Sequence, residues 1–118
     1  MHKLITPLIA VLLCVAATAQ PASFTGRWRT NWGIINLIQT GSQVNGTYTG
    51  NYSGSIQGVV TDRRLNFTWK QPEGLWGRGY FDINRNDNTL QIVGRWGAGI
   101  SDTNGGEWVG VKDRDGYN

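Results

Sequence analysis

Residues 43–69, QVNGTYTGNYSGSIQGVVTDRRLNFTW, decide the fold. Val44, Gly46 and Tyr48, then Ile56, Gly58 and Val60, then Leu65, Phe67 and Trp69 recur at every second position, with Asn45, Thr47, Gln57, Asn66 and Thr68 between them. Side chains on a strand alternate between faces, so the pattern predicts three successive strands, each with one apolar and one wet side. Gly50 to Gly54 and Thr61-Asp62-Arg63 supply turn chemistry between them. Connections this short join antiparallel neighbours.

The same alternation extends in both directions. Phe24-x-Gly26-x-Trp28 lies upstream and Ile92-x-Gly94-x-Trp96 downstream, and no helix-period run interrupts them. Further strands are predicted over Ile34 to Gln39, about Leu75 to Ile83, and Glu107 to Lys112. Turns are predicted at Asn31-Trp32-Gly33, Thr40-Gly41-Ser42, Gln71-Pro72-Glu73-Gly74, Asn84 to Asn88 and Gly97 to Gly105. The expected fold is all-β: an eight-stranded antiparallel up-and-down β-barrel over residues 20–112, followed by a short polar tail at 113–118. Gly26, Gly46, Gly58 and Gly94 keep the inward phase, and each is expected to yield space to a neighbouring aromatic in a tightly coiled small barrel.

Residues 1–19 have the order of a signal peptide. Lys3 gives a basic start, Leu4 to Val15 is nearly all apolar, and Ala17-Thr18-Ala19 is a small-x-small cleavage site. Leu13 before Cys14 does not suit a lipoprotein site. The apolar run is too short to span a bilayer, so the expectation is an exported, periplasmic or extracellular protein with no membrane partner. Cleavage would remove Cys14 and His2, the chain's one cysteine and one histidine. The mature chain then has no disulfide, thiolate nucleophile, Ser-His-Asp relay or histidine metal site, and no metal or cofactor is expected.

Carboxylates are the acid–base groups that remain. Glu73, Asp102 and Glu107 would share one rim, but nothing in the spacing fixes the separation of about 5–10 Å that a glycosidase pair needs, and the expectation is a non-enzyme. A calcium site among Asp113, Asp115 and Asn118 competes with an ordinary polar tail. Eleven Lys and Arg, of which Lys3 lies in the leader, stand against eight Asp and Glu, leaving about +2 on the mature chain. The arginines are scattered, so no basic stripe for nucleic acid is present.

The aromatics point to function. In a meander, odd strands end and even strands begin at one edge. Trp28, Tyr48, Trp69 and Trp96 end the odd strands, Trp76 and Trp108 begin even ones, and Trp32 lies in the first turn. Closure would gather them at one mouth, the usual ligand site of a barrel. Trp28, Trp32, Tyr48, Trp69, Trp96 and Trp108 are therefore the candidate ligand-binding residues. The competing reading is that the rings interlock and plug a ligand-free barrel. Trp76 and Tyr80 face outward by parity and, with Val93, Val109 and Val111, would form an apolar patch over strands six to eight, a candidate homo-oligomer interface. Scattered exposed hydrophobes are the alternative.

SFTGRWRTNWGIINLIQTGSQVNGTYTG (23–50), NFTWK (66–70), LWGRGYFDI (75–83), GRW (94–96) and GGEWVG (105–110) resemble avidin and streptavidin in order and kind. Phe24-x-Gly26-x-Trp28 is also found in lipocalins and fatty-acid-binding proteins. The resemblance implies that Tyr48 matches the tyrosine that binds the ureido oxygen of biotin, and that Trp69, Trp96 and Trp108 match the tryptophans boxing the ligand. Thr30 stands where the family has asparagine, Ile34 where it has serine, Gly50 where it has a hydroxyl residue, and Gln71-Pro72-Glu73 where it has serines. The box is kept and most polar readers are lost.

The expectation is an avidin-like or lipocalin-like barrel that binds a small apolar or aromatic molecule or a sugar, without tight biotin binding. A small lectin-like protein using Trp32, Trp76 and the 97–105 loop is the alternative, since the Trp-Gly and Gly-Gly-x-Trp segments also resemble some bacterial and cyanobacterial mannose-binding lectins. A structural or oligomerising β-domain without ligand is the third.

Overall fold

A computed structural model describes residues 22–113. The leader at 1–19 and the tail beyond Asp113 lie outside the described residues. Eight strands, β1 (Gly26–Thr30), β2 (Gly33–Thr40), β3 (Gln43–Thr49), β4 (Gly54–Thr61), β5 (Arg64–Lys70), β6 (Trp76–Asn86), β7 (Thr89–Ala98) and β8 (Gly106–Lys112), pair in sequence order into a closed barrel. Every pairing is antiparallel, including the seam where Trp28, Arg29 and Thr30 meet Lys112, Val111 and Gly110. The expected fold class is the observed one.

The seam is short, and side chains reinforce it. Asn31 Nδ2 donates to the Glu107 carbonyl and Asn31 Oδ1 accepts from the Val109 amide, both at 3.0 Å. At the other end of the seam Asp113 bridges Arg27 and Arg29.

The two ends of the barrel differ. At one end β2–β3, β4–β5 and β6–β7 are joined by the two-residue turns Gly41-Ser42, Asp62-Arg63 and Asp87-Asn88, each entered with a left-handed residue (φ 65°, 56° and 59°). Residues 22–25 cross this end: the Ala22 amide reaches the Asp62 carbonyl, and the Phe24 amide donates to Gln39 Oε1 at 2.8 Å. Phe24 is 0% exposed and closes the end as a plug. The opposite end carries the 50–53, 71–75 and 99–105 connections and is the mouth.

Inward positions build one core, with Val44, Val60, Leu65, Ile83 and Ile92 among its aliphatic members and Phe67, Phe81 and Trp108 as its aromatic centre. Phe67 and Phe81 pack as a tilted pair at 4.8 Å, and both meet Trp108 in T-shaped contacts at 5.7 and 5.3 Å. Such pairs add roughly 0.5–1.5 kcal/mol each beyond area burial.

The mid-strand glycines correct one expectation. They keep the inward phase, but Cβ atoms at Gly46, Gly58 and Gly94 would meet backbone carbonyls of the neighbouring strand before any ring. They permit close strand approach and tight coiling. Room for aromatics comes instead from Gly79 beside Phe67 and Gly105 beside Trp96, while Cβ atoms at Gly54 and Gly77 would crowd the Tyr48 and Trp69 rings as well as a neighbouring backbone carbonyl.

Candidate functional site

At the mouth the barrel holds a cavity of about 340 Å³, lined by Trp32, Tyr48, Tyr52, Trp69, Gln71, Leu75, Trp96, Ala98 and Trp108. Tyr48 and Trp69 are the next-to-last residues of β3 and β5, Trp96 nears the end of β7 and Trp108 is the third residue of β8, so the meander brings four strand ends together. Trp32 projects from the β1–β2 turn. Its ring packs edge-on against Trp96 at 5.7 Å, and Trp96 packs likewise against Trp69 at 5.9 Å. Across the cavity, Tyr48 and Trp108 meet edge to face at 5.5 Å. The rings form a wall at these contacts and still leave space between them.

Most polar atoms of that wall are already committed. Trp69 Nε1 donates to the Gly97 carbonyl, Trp32 Nε1 to the Glu107 carbonyl and Trp108 Nε1 to Thr30 Oγ1, each at 3.0 Å. The Thr30 hydroxyl also donates to the Gly33 carbonyl at 2.7 Å and accepts from the Trp32 amide at 3.1 Å. These bonds lock the indoles and leave their faces to the cavity.

Gln71 is one exception. Its turn is pinned by its own amide donating to the Leu75 carbonyl (2.8 Å) and by its carbonyl accepting from Gly74 (2.9 Å). This places the side chain over Tyr48, whose phenol oxygen accepts from Gln71 Nε2 at 3.1 Å. Among the described residues, Gln71 Oε1 is buried without a hydrogen-bond partner, and so is Trp96 Nε1. Burial pushes the Tyr48 phenol above its usual pKa, against the lowering effect of the Gln71 bond. The phenol stays neutral and keeps its proton to donate.

Five of the six candidate ligand-binding residues, Trp32, Tyr48, Trp69, Trp96 and Trp108, line this cavity. Trp28 does not: it is 0% exposed, and its indole N–H turns toward the plugged end to bond the Phe24 carbonyl at 3.0 Å. Tyr52, Gln71, Leu75 and Ala98 line the cavity without having been expected there. Glu73, Asp102 and Glu107 are exposed and absent from the lining.

The 97–105 segment is held by its own bonds. The Ala98 amide donates to Asn104 Oδ1 at 3.0 Å, Gly105 to the Trp96 carbonyl at 2.7 Å, and the Arg95 guanidinium to the Thr103 carbonyl. Ile100 at its tip, with Trp32, Tyr52, Leu75 and Trp76, gives an exposed apolar rim spread over all four mouth connections.

On the outer wall Val93 pairs directly with Val109, and Val111 follows two residues along β8. Trp76 is 43% exposed. Tyr80 lies beneath the Arg64 guanidinium at 4.1 Å, and Arg78 and Asp82 flank it on the outer phase of β6. Charges therefore divide the two aromatics from the valines.

No family model matches the chain, and no curated protein or solved structure matches it either. The closed eight-stranded antiparallel barrel is consistent with a calycin-like fold.

Proposed function

We propose that the protein is an exported, non-enzymatic barrel of the avidin-like or lipocalin-like kind, which takes a small apolar or aromatic molecule into its mouth and does not bind biotin tightly. One observation carries this reading: a cavity closed below by the core, walled by Trp32, Tyr48, Trp69, Trp96 and Trp108, and open at one end. Small-molecule sites are of this kind, mostly apolar with few polar groups. An apolar cavity of about 150 Å³ admits benzene, so about 340 Å³ suits a two-ring molecule.

Binding rather than catalysis is supported by a lining that holds no carboxylate. Export is supported by the leader-like residues 1–19. Life in water is supported by Arg27, Arg29, Asn36, Asn45, Thr47, Gln57, Asn66, Arg78 and Arg95 on the outward phase, the reverse of a lipid-facing barrel. Weak biotin binding is supported by Thr30, whose hydroxyl is consumed by Trp108, Trp32 and Gly33, and by Ile34, which faces outward.

Native mass spectrometry of protein purified from its source tests the reading. The expected result is a co-purifying small molecule that Trp96→Ala abolishes. Loss-free retention in that variant, or no binding of any two-ring apolar compound added at millimolar concentration, would contradict it.

A further inference from the structure

The geometry points to an alkylated organic cation as the occupant of this cavity: a quaternary ammonium group on a small apolar or aromatic body, held against the indole faces and drawn in by Glu73 at the rim. This rests on the binding reading above and names the ligand chemistry of the same site.

Aromatic rings are negative on their faces and positive at their edges, so a box of rings is attractive to a cation placed between the faces. Trp96 stands nearly perpendicular to Trp32 and to Trp69, at 87° and 80° with centroids 5.7 and 5.9 Å away. Tyr48 and Trp108 make a second perpendicular pair at 88°. Rings set this way wall the one cavity from several sides. A cation among them meets more than one ring within the roughly 6 Å over which the attraction acts. The bonds that tie the Trp32, Trp69 and Trp108 indole protons to protein oxygens hold those positive edges away from the occupant.

The charges around the cavity favour the same sign. Its lining contains no Lys or Arg. The connections that frame the mouth, 31–32, 50–53, 71–75 and 99–105, carry two charged residues, Glu73 and Asp102, both acidic and both exposed. Lys70, Arg78 and Arg95 stand on the outward phase of their strands, and the Arg95 guanidinium is spent on the Thr103 carbonyl. The negative charge of Glu73 helps to raise the pKa of the Tyr48 phenol, so its field reaches into the cavity.

Hydrogen bonding decides the kind of cation. A primary ammonium brings three N–H donors that need partners once it leaves water. The lining offers them little: the Tyr48 oxygen already accepts from Gln71, and Gln71 Oε1 is buried away from the open space. A quaternary ammonium has no N–H to pair, and its methyl groups pack on ring faces as an apolar group does.

Phenyltrimethylammonium and tert-butylbenzene share one shape and differ by one charge. Titrated by tryptophan fluorescence into the wild-type protein, Glu73→Gln and Trp96→Leu, with naphthalene as the report of an open cavity, they separate a cation cage from an apolar hole. The wild type is expected to bind the cation at least about threefold more tightly than its neutral isostere. An apolar hole reverses that order, because the charged probe is the better hydrated of the two. Trp96→Leu keeps an apolar wall without the ring face and should move the ratio at least about threefold toward the neutral probe, with urea unfolding to check that the variant is folded. Glu73 is exposed, so Glu73→Gln leaves the core alone; it should weaken the cation by about two- to fivefold at low salt and leave both neutral probes unchanged. A wild-type ratio below about threefold with naphthalene bound would overturn the cation preference and leave the binding reading standing. A ratio that persists in Trp96→Leu would overturn the part given to the indole face, and an unchanged cation affinity in Glu73→Gln the part given to Glu73. Binding of none of the three probes would overturn the binding reading and this inference together.

Discussion

Trp108 at the start of β8 donates its indole N–H to the hydroxyl of Thr30 at the end of β1, at 3.0 Å across the seam that closes the barrel. The same hydroxyl serves the Gly33 carbonyl and the Trp32 amide, so one side chain fastens the first turn, the last strand and two walls of the cavity. Threonine is the right size for this. Its methyl lies under Gly110, where a Cβ would come within 2.6 Å of it.

Thr30→Val keeps the shape and removes the acceptor. The Trp108 N–H is then unpaired in a buried place, and stability should fall by about 1–3 kcal/mol in urea unfolding. A change below about 0.3 kcal/mol would show that the seam does not depend on this bond.

Gly94 and Gly41 should respond differently to alanine. A Cβ at Gly94 would press on the Tyr80 carbonyl and sit 3.0 Å from Phe81 Cα, backbone atoms that move only with the sheet. Gly94→Ala should cost about 3 kcal/mol. Gly41 has open space around it and a φ of 65°, so Gly41→Ala should cost about 1 kcal/mol of left-handed strain. Equal costs would mean that strand spacing does not need the inward glycines.

Trp28 and Trp96 separate stability from binding. Trp28→Phe loses the bond to the Phe24 carbonyl and part of the packing, and should cost roughly 1–3 kcal/mol while changing the affinity for naphthalene less than about twofold. Trp96→Ala opens the ring contacts with Trp32 and Trp69 and should weaken that affinity at least about tenfold. Biotin should show no submicromolar saturation in the same fluorescence titration. The reverse pattern for the two tryptophans, or tight biotin binding, would show the site misplaced.

Acid should loosen the barrel in a defined window. Arg64 holds the Asp82 carboxyl below its usual pKa, and Arg29 with Arg27 does the same for Asp113, with burial opposing in both. A carboxyl depressed by folding stabilises fully above its unfolded pKa, about 3.9, and that contribution disappears as pH falls through the folded value. No histidine lies between residues 22 and 113, so Tm should be flat from pH 8 to pH 5 and fall below about pH 4. Asp82→Asn with Asp113→Asn should make the fall shallower. The pairs are solvent-exposed, so the difference should be modest. An unchanged slope in the double variant would assign the acid loss to other groups.

What the sequence showed and hid follows from the kind of information each feature needs. Inward or outward phase is a local property, so alternation placed the core and the meander correctly. Depth along the barrel axis depends on how strands are staggered. Trp28 and Trp69 share the inward phase, yet one reaches the plugged end and the other the cavity. Strand ends moved where backbone conformation intervened. Gly26 has φ 141°, so Phe24 leaves the first strand to plug the end, and left-handed Asp87 lets β6 run to Asn86 through what read as a turn. Gln71 was hidden most completely. A polar residue in a Pro-Gly turn reads as solvated, and its partner Tyr48 lies 23 residues earlier. The unmatched family serines at 71–73 were the signal that this turn differs in kind, but the direction of the side chain was not readable from it.

Indole N–H correlation spectra of the six tryptophans during a naphthalene titration test the mouth cavity most directly. Resonances of Trp32, Trp69, Trp96 and Trp108 should move together along one saturable curve while Trp28 and Trp76 hold still. Shifts led by Trp76 or Trp28, or no saturable shift at any indole, would mean that the space among these rings is not where this barrel receives a molecule.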